Sequence, residues 1–412
     1  MVVIMPVYSY KARDSKGKQV RGIAEAQNEI ELAERLREGG YFVTSLKETE
    51  ANAKKQNIAT SVSSKRAGMS AKELLNFTIY LVTLIDSGIP LLSGLKDLAD
   101  GSQKERARLV INDLVRRIER GSSLEEALSY HPHTFSKLYI SIVGAGESTG
   151  KLSSSLRDLV SLLEWQIDLR AKVKEASTYP IILFTVMIAV VTLLVVKIIP
   201  IFEPMFAQLK VALPLPTRIV LGVSNFVRHY ILLIIGLAVL SVFGYKFYNS
   251  FPRGRYRLDS FKLKIPVLGD LIRKISISRF SHTFSLALRS GVNVLTSLNI
   301  ASQVAGNARI EEAIARAKDA VQVGEKLAPS LGRSGQFPPL VIRMIAVGEQ
   351  TGALSETLDK VNEFYDKEVP STIKTVFTFF EPVMIVVMGV VVGGIALSIF
   401  LPLFTLVRKI GG

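Results

Sequence analysis

Residues 137–156 read KLYISIVGAGESTGKLSSSL, and residues 339–358 read PLVIRMIAVGEQTGALSETL. Laid over one another at an offset of 202, they keep Gly-Glu-x-Thr-Gly, as Gly146-Glu147-Ser148-Thr149-Gly150 and Gly348-Glu349-Gln350-Thr351-Gly352. Leu152 then matches Leu354, Leu156 matches Leu358, Pro180 matches Pro382 and Pro200 matches Pro402. Upstream the offset is 203, which pairs Ser87-Gly88 with Ser290-Gly291, Leu92 with Leu295, Leu95 with Leu298, Gly121 with Gly324 and Leu124 with Leu327. Self-similarity of this kind marks a duplicated structural unit. What differs between the copies therefore tests any reading of what they share.

Taken alone, the first copy imitates a phosphate-binding loop. An apolar run leads into Gly144-Ala145-Gly146-Glu147-Ser148-Thr149-Gly150-Lys151, with a helical pattern beyond. The position after Lys151 is Leu152, where a magnesium-binding hydroxyl is required, and the second copy has Ala353 in place of the lysine. Glu147 would also repel the phosphates that such a cradle holds. What both copies keep suits a corner between helices. Gly146, Gly150, Gly348 and Gly352 permit close approach or positive φ, Thr149 and Thr351 are placed to cap the next helix, and Glu147 and Glu349 are placed to accept backbone N–H groups. The functional alternative is a partner-docking or ion-linked carboxylate at an interface between modules.

Working outward, the apolar residues of each copy fall on one helical face. Phe280, Phe284, Ala287, Leu288 and Gly291 lie at i, i+4, i+7, i+8 and i+11, and Leu74, Leu75, Phe77, Thr78, Leu81, Val82 and Ile85 form the counterpart. Glu73 and Asp86 bracket too short a run in the first copy for a membrane span. Glycines 88, 94, 101 and 121 read as helix ends and turns. Each module is expected to be an antiparallel helical bundle.

Beyond each module lies a run suited to lipid. Residues 181–199, IILFTVMIAVVTLLVVKII, carry Lys197 as their single charge; a second run covers residues 230–245, and a third covers 376–407 with Glu381-Pro382 early in it. Glu381, whose repeat counterpart is Tyr179, is expected in the headgroup layer or facing other protein, together with Pro382. The overall figures agree: 412 residues, 48% of them hydrophobic, have a mean hydropathy of +0.31. Net charge is +15, with basic residues crowded beside the apolar runs (Arg170, Lys172, Lys174; Lys246, Arg253, Arg255, Arg257), so the charge points to a membrane surface and not to nucleic acid. Nine basic residues lie between Lys246 and Arg279, against three between Pro200 and Arg228. The predicted orientation thus has residues 1–180 and about 246–375 cytoplasmic and the tail after 407 periplasmic.

The amino-terminal stretch differs in texture. VYSYKA, DSKGK and VRGIAEA predict two strands and their turn, NEIELAERLREGG a helix, and YFVTSL a third strand, giving a small ββαβ domain. Residues 49–69 are too polar to pack and read as a flexible linker. Met1–Val7 lacks a basic leader, so no cleavable signal is expected. Cysteine is absent and the four histidines have no helical pairing, the closest being His131-Pro132-His133, so no metal and no cofactor are predicted. The acidic pairs Glu125-Glu126 and Glu311-Glu312 read as solvated faces. Nothing shows the logic of a nucleophile with its base, and no enzymatic activity is expected.

The fold class predicted is an all-α membrane protein: two repeated cytoplasmic helical bundles and three transmembrane helices, plus the small ββαβ domain. The segments are 1–48 (small domain), 49–69 (linker), 70–178 (first bundle), 179–201 (first span), 202–228 (periplasmic loop), 229–247 (second span), 248–375 (second bundle), 376–407 (third span) and 408–412 (tail).

The chain resembles the inner-membrane platform proteins of type IV pili and type II secretion, the PilC/GspF or secretion-F family. The resemblance covers nearly the whole chain: YKARDSKGKQVRGIAEA, the duplicated module with both Gly-Glu-x-Thr-Gly signatures, KIPVLGDLIRKISISRF at 264–280, and FPPLVIRMIAVGEQTGALSETLDKVNEFYDKEV at 337–369. It implies a platform in the inner membrane that contacts a cytoplasmic assembly ATPase, pilin or pseudopilin subunits, other inner-membrane assembly proteins and lipid, and that forms a homo-oligomer of at least two copies. The run Met344–Glu349, Phe364-Tyr365 with Glu368-Val369, and Gly389 with Gly393-Gly394 before Leu401-Pro402 look more like the pilus branch. The secretion F protein is the alternative. A small-molecule transporter is the reading from another class, and three spans leave too little embedded protein for a pathway.

Overall fold

The computed structural model describes residues 68–208 and 214–410, the segments 7–13, 19–25 and 42–49, and the single positions 33 and 37. Two compact units emerge, Met1–Gly68 and Met69–Gly412. In the first, β1 (Val7–Arg13), β2 (Gln19–Glu25) and β3 (Phe42–Thr49) form a sheet in the order β2-β1-β3, antiparallel throughout. Val7 lies opposite Glu25 on one side and Thr49 on the other, with a register shift against β3 between Lys11 and Ala12. The helix expected over 28–40 lies outside the described residues, except that Ala33 and Arg37 are helical. The linker expected at 49–69 lies almost wholly outside them.

The second unit is helical. Its first bundle comprises α1 (Ala71–Asp86), α2 (Leu91–Asp100), α3 (Glu105–Glu119), α4 (Leu124–Ser129), α5 (Lys137–Ser148) and the start of α6 (Leu152–Leu193). A π-helical turn, Leu194–Ile198, joins α6 to α7 (Ile199–Gln208). Then come α8 (Leu215–Ser250) and α9 (Pro252–Lys262). The second bundle follows as α10 (Leu268–Arg289), α11 (Val294–Val304), α12 (Ala308–Gln322), α13 (Leu327–Gly332), α14 (Pro339–Thr351) and α15 (Leu354–Ile410). From α1 to α6 each helix has its counterpart from α10 to α15, so the duplication seen in the sequence is a duplication of packing.

Local chemistry starts and stops these helices. Ser70 and Glu73 form a reciprocal capping box at α1, with Ser70 N–H donating to Glu73 Oε2 at 2.6 Å and Glu73 N–H to Ser70 Oγ at 3.4 Å. The apolar stripe of α1 buries Leu74, Phe77, Thr78, Leu81 and Val82. In α10 the same stripe buries Phe280, Phe284 and Ala287 completely, and Phe280 also meets the edge of Phe337 at 5.6 Å. Each fully buried phenylalanine contributes about 1.5–3 kcal/mol. Gly94, expected at a helix end, instead sits within α2, where an added Cβ would stand 3.2 Å from Leu84 Cδ1. Its role is to let α2 close on α1.

Among the described residues three helices are long and apolar enough to cross a membrane, within 152–202, 215–250 and 354–402. Neither bundle ends before its span begins: α6 runs unbroken past Pro180, and α15 past Pro370, Pro382 and Pro402. The expected boundaries at 178/179 and 375/376 fall inside continuous helices. The expected loop over 202–228 is also corrected, because α7 and the first part of α8 make it largely helical, residues 209–213 lying outside the description. Thr217, Val220, Leu221, Ser224 and Val227 recur at helical spacing, and the apolar ones pack on Val195, Ile199 and Ile395. Sequence hydropathy missed this because the run mixes its apolar stripe with Arg218, Asn225 and Arg228.

The contact between these three long apolar helices has a specific cause. In the π turn Ile199 N–H donates to Leu194 O, so the next carbonyl, Val195 O, would be served by residue 200, and Pro200 has no N–H. Ser224 Oγ donates to Val195 O at 2.5 Å. In α15 the matched Pro402 likewise has no N–H for Ser398 O, and Thr217 Oγ1 donates to it at 2.8 Å. Both hydroxyl residues are buried. One helix that lies outside the repeat therefore satisfies a carbonyl in each copy, and lipid offers no substitute donor. At Tyr230 (φ −107°, ψ 15°) α8 kinks, and beyond it the apolar side chains from Leu232 to Phe247 are exposed.

Candidate functional site

The Gly-Glu-x-Thr-Gly signatures lie at the carboxyl ends of α5 and α14. KLYISIVGAGES is helical, and no strand precedes its glycines. Glu147 reaches across to the start of α4, where Oε1 accepts from Leu124 N–H at 2.8 Å and Oε2 from Glu125 N–H at 3.0 Å. Glu349 does the same at α13, accepting from Leu327 N–H at 2.6 Å and Ala328 N–H at 3.3 Å. The first N–H groups of any helix lack intrahelical partners and carry partial positive charge, so a carboxylate held there gains both hydrogen bonds and dipole energy. In each copy one glutamate fastens a short helix to the end of a long one.

The glycines provide the room. An added Cβ at Gly146 would approach Ser155 Oγ to 2.5 Å and Leu152 Cα to 3.2 Å, and one at Gly348 would approach Leu354 Cα to 2.9 Å. Gly150 and Gly352 turn the chain at φ +70° and +74°. Thr149 does not cap the following helix. Its hydroxyl donates back to Ala145 O at 2.6 Å, and Thr351 donates to Val347 O at 2.9 Å. α6 starts without a side-chain cap. Gly144, the first glycine of the apparent phosphate loop, lies under the carboxylate of Glu125. The second copy has Ala346 there and Ala328 in place of Glu125.

An ion pair beside each corner escaped the sequence reading. Asp86 of α1 pairs with Arg157 of α6 at 2.9 Å, while the matched positions in the second copy hold Arg289 and Asp359, 3.3 Å apart. The polarity is reversed and the contact kept. The signal was legible, since aligning the copies sets Asp86 against Arg289 and Arg157 against Asp359. In the first bundle Asp113 accepts from Arg117 Nε at 2.8 Å and lies 2.9 Å from His131 Nε2. Burial works to raise the Asp113 carboxyl, but its bonds to Arg117 and His131 hold it below the ordinary value. Burial also pushes the His131 imidazole down, against the pull of Asp113.

The two bundles meet along α6 and α15. Trp165 Nε1 donates to Asp366 Oδ1 at 2.8 Å, and His282 Nε2 lies 3.0 Å from the same oxygen. The indole and imidazole stack with centroids 4.0 Å apart. Leu169, with Trp165, Val173 and Ala176 around it, joins the second bundle's core. Further along, the repeat counterparts Tyr179 and Glu381 meet each other, the tyrosine hydroxyl donating to Glu381 Oε1 at 3.3 Å. Pro180 and Glu381 border one cleft there, while Pro382 opens the apolar part of the third span. Among the described residues no group of three metal-ligating side chains occurs. The chemistry on display is mechanical fastening and charge pairing.

Known proteins resemble this sequence over most of their length. Residues 77–200 and 280–402 each match the family described as type II secretion system (T2SS), protein F, and residues 5–47 match its N-terminal domain. The type IV pilus assembly protein PilC of Thermus thermophilus is 38% identical over 404 residues, 98% of either chain. PilC of Myxococcus xanthus is 36% identical over 83% of this chain and 82% of its own. The type II secretion system protein F of Vibrio cholerae is 30% identical over 97% of this chain and 98% of its own.

Proposed function

This chain belongs to the type II secretion system protein F family, and from that premise we propose that it is the inner-membrane platform of type IV pilus assembly. In this reading it couples a cytoplasmic assembly ATPase to the insertion or extraction of pilin subunits, works as a homo-oligomer of at least two copies, and performs no catalysis itself. The single observation that carries the coupling role is continuity. α6 and α15 pass from their bundles into the apolar spans without a break, and at about 1.5 Å per residue the 57 residues of α15 would reach roughly 85 Å. A tilt imposed at a bundle is then delivered at the far end of the span, because helix and bundle share one backbone.

In this reading residues 1–180 and about 246–375 are cytoplasmic and the carboxyl tail lies outside, an orientation supported by the basic excess after Lys246. The absence of native cysteine makes this testable by single-cysteine labelling in intact cells: cysteine at position 326 should resist an impermeant maleimide and one at position 212 should react. The Gly-Glu-x-Thr-Gly corners serve in this reading as the rigid joints that hold each bundle to its lever, and their exposed faces as the docking side for other assembly proteins. Pull-down from detergent-solubilised membranes should recover an ATPase and pilin-like subunits. A preparation that binds neither, with ATPase rates unchanged on its addition, would sink the coupling role. Similarity to the Vibrio cholerae protein over nearly the whole chain supports the second reading, a secretion platform. A pilus-minus phenotype with normal secretion decides between them.

A further inference from the structure

Helix α9 follows the apolar stretch of α8 directly, and contacts at both of its ends fix where it lies. Gly254 rests against the backbone carbonyl of Tyr248, where any Cβ would collide, so the chain folds sharply across the end of α8. At the other end of α9, Lys262 sets its ammonium over the ring of Tyr245, 5.9 Å from the centroid. Tyr245 closes the apolar run of α8. α9 therefore runs at the depth where that run ends instead of dropping away from it. Phe247 and Phe251 beside it are exposed and meet edge to face at 5.1 Å, as aromatic rings at a membrane boundary do.

One side of α9 belongs to the second bundle. The buried carboxylate of Asp259 accepts from Ala308 N–H at 3.0 Å and from Lys262 Nζ at 2.8 Å, Asn307 Nδ2 donates to Asp259 O at 3.2 Å, and Arg255 pairs with Glu311. At about 100° per residue, Arg253, Arg257 and Phe261 fall on the side opposite Arg255 and Asp259, and Lys264 continues their stripe in the following turn. All four are exposed, Phe261 by 66%. The side chains of Arg253, Arg257 and Lys264 make no ion pair or hydrogen bond among the described residues. From Lys246 to Lys264 the single acidic residue is Asp259, which faces the other way. Of the basic residues crowded there, Arg255 is thus taken up by the bundle, and an uncompensated set remains around one exposed ring.

We propose that this face of α9 docks on anionic phospholipid and clamps the second bundle to the leaflet it borders, with Phe261 entering the acyl boundary and Arg253, Arg257 and Lys264 holding headgroup phosphates. The order along the membrane normal agrees. The phenyl ring is short and points toward the chains, while the longer basic side chains reach back to the phosphate layer outside them. A guanidinium takes phosphate oxygens in pairs. A zwitterionic surface returns one cation for every phosphate it offers, so three cations without a carboxylate gain little from it, whereas an anionic surface compensates all three. An acidic protein segment would match the charge, but the depth fixed by Lys262 and Tyr245 and the exposed ring of Phe261 favour lipid. The proposal goes beyond the platform reading and requires only that the apolar stretch of α8 lies in a bilayer.

The test uses the full-length protein in nanodiscs made from equal parts of phosphatidylcholine and phosphatidylglycerol. A nitroxide attached through Phe261→Cys should collide with dissolved oxygen more than with a water-soluble nickel chelate, and one attached through Leu237→Cys reports separately that α8 is in lipid. Native mass spectrometry should find phosphatidylglycerol retained several-fold over phosphatidylcholine. The triple variant Arg253→Gln, Arg257→Gln, Lys264→Gln should cut that ratio at least threefold. The same loss of charge at exposed positions of the first bundle, Arg106→Gln, Arg108→Gln, Lys137→Gln, should leave it intact. Thermal melts separate lost binding from lost folding, and if the triple variant fails to fold, Arg257→Gln alone should lower the ratio by a smaller factor. Free access of the nickel chelate to position 261, a ratio unchanged in the α9 variants or equally reduced in the control, or shielding of position 261 in native membranes but not in lipid-only discs, which would give the face to a protein, would overturn the assignment.

Discussion

Replacing Glu147 with alanine should loosen α4 while leaving the remainder of the first bundle folded. The carboxylate holds two backbone N–H groups, those of Leu124 and Glu125, at 2.8 and 3.0 Å. Hydrogen bonds to a charged group are worth about 1.5–3 kcal/mol net, and the helix-terminus dipole adds about 0.3–1 kcal/mol. α4 has six residues and no stability as an isolated helix, so that energy bears directly on its local opening. At 1.4 kcal/mol per decade, the amides of Leu124 and Glu125 should exchange roughly ten- to a hundredfold faster in Glu147→Ala. Glu147→Gln, which keeps one carbonyl acceptor, should fall between. The assay is hydrogen exchange by mass spectrometry on the full-length protein in detergent. It carries an internal control: Glu349→Ala should accelerate Leu327 and Ala328 and leave α4 alone, because the two corners lie in separate bundles and share no partner. Unchanged exchange at α4 in Glu147→Ala, or equal acceleration throughout the bundle, would refute the cap.

Other perturbations follow from the same structure. Gly348→Ala places a Cβ 2.9 Å from Leu354 Cα, a backbone neighbour that cannot swing aside, and should cost about 1–3 kcal/mol, read as a lowered melting temperature. Thr217→Val and Ser224→Ala each strand a carbonyl among the spans, and intramembrane hydrogen bonds of this kind average about 0.6 kcal/mol, with a maximum near 1.7. The double variant should weaken disulfide crosslinking between cysteines introduced at positions 220 and 399. His131 is buried with its imidazole pushed down, so the unfolded chain takes up the proton first as pH falls below the ordinary 6.5. Asp113, also held below its ordinary value, works in the same direction at lower pH. The first bundle should therefore lose stability on acidification from pH 7 to 5, and His131→Gln should flatten that dependence in pH-resolved melts. Trp165 is the only tryptophan. Its emission should change when His282→Ala removes the stacked ring, giving a direct optical readout of the seam between bundles.

Much of this protein is written along its chain. The duplication, the helical stripes of both bundles, the three apolar runs and the failure of Gly144–Lys151 as a phosphate loop are all local or periodic properties. Helical period, apolar run length and an offset between matching residues can be read without knowing what touches what. The same comparison, pressed further, would have found the reversed pair Asp86–Arg157 and Arg289–Asp359. Only the tertiary structure decided where Glu147 and Glu349 point, since their partners lie more than twenty residues away across a helical corner. It also decided that Thr149 turns back into its own helix, that 202–228 is largely helix, and that each bundle flows into its span without a joint. The reason is common to all of these. A proline-freed carbonyl or an unpaired helix amide requires a partner, but the sequence does not say which distant hydroxyl or carboxylate packing brings within 3 Å. Here Ser224 and Thr217 of the helix outside the repeat answer the matched prolines, and Glu381 meets Tyr179, its own counterpart.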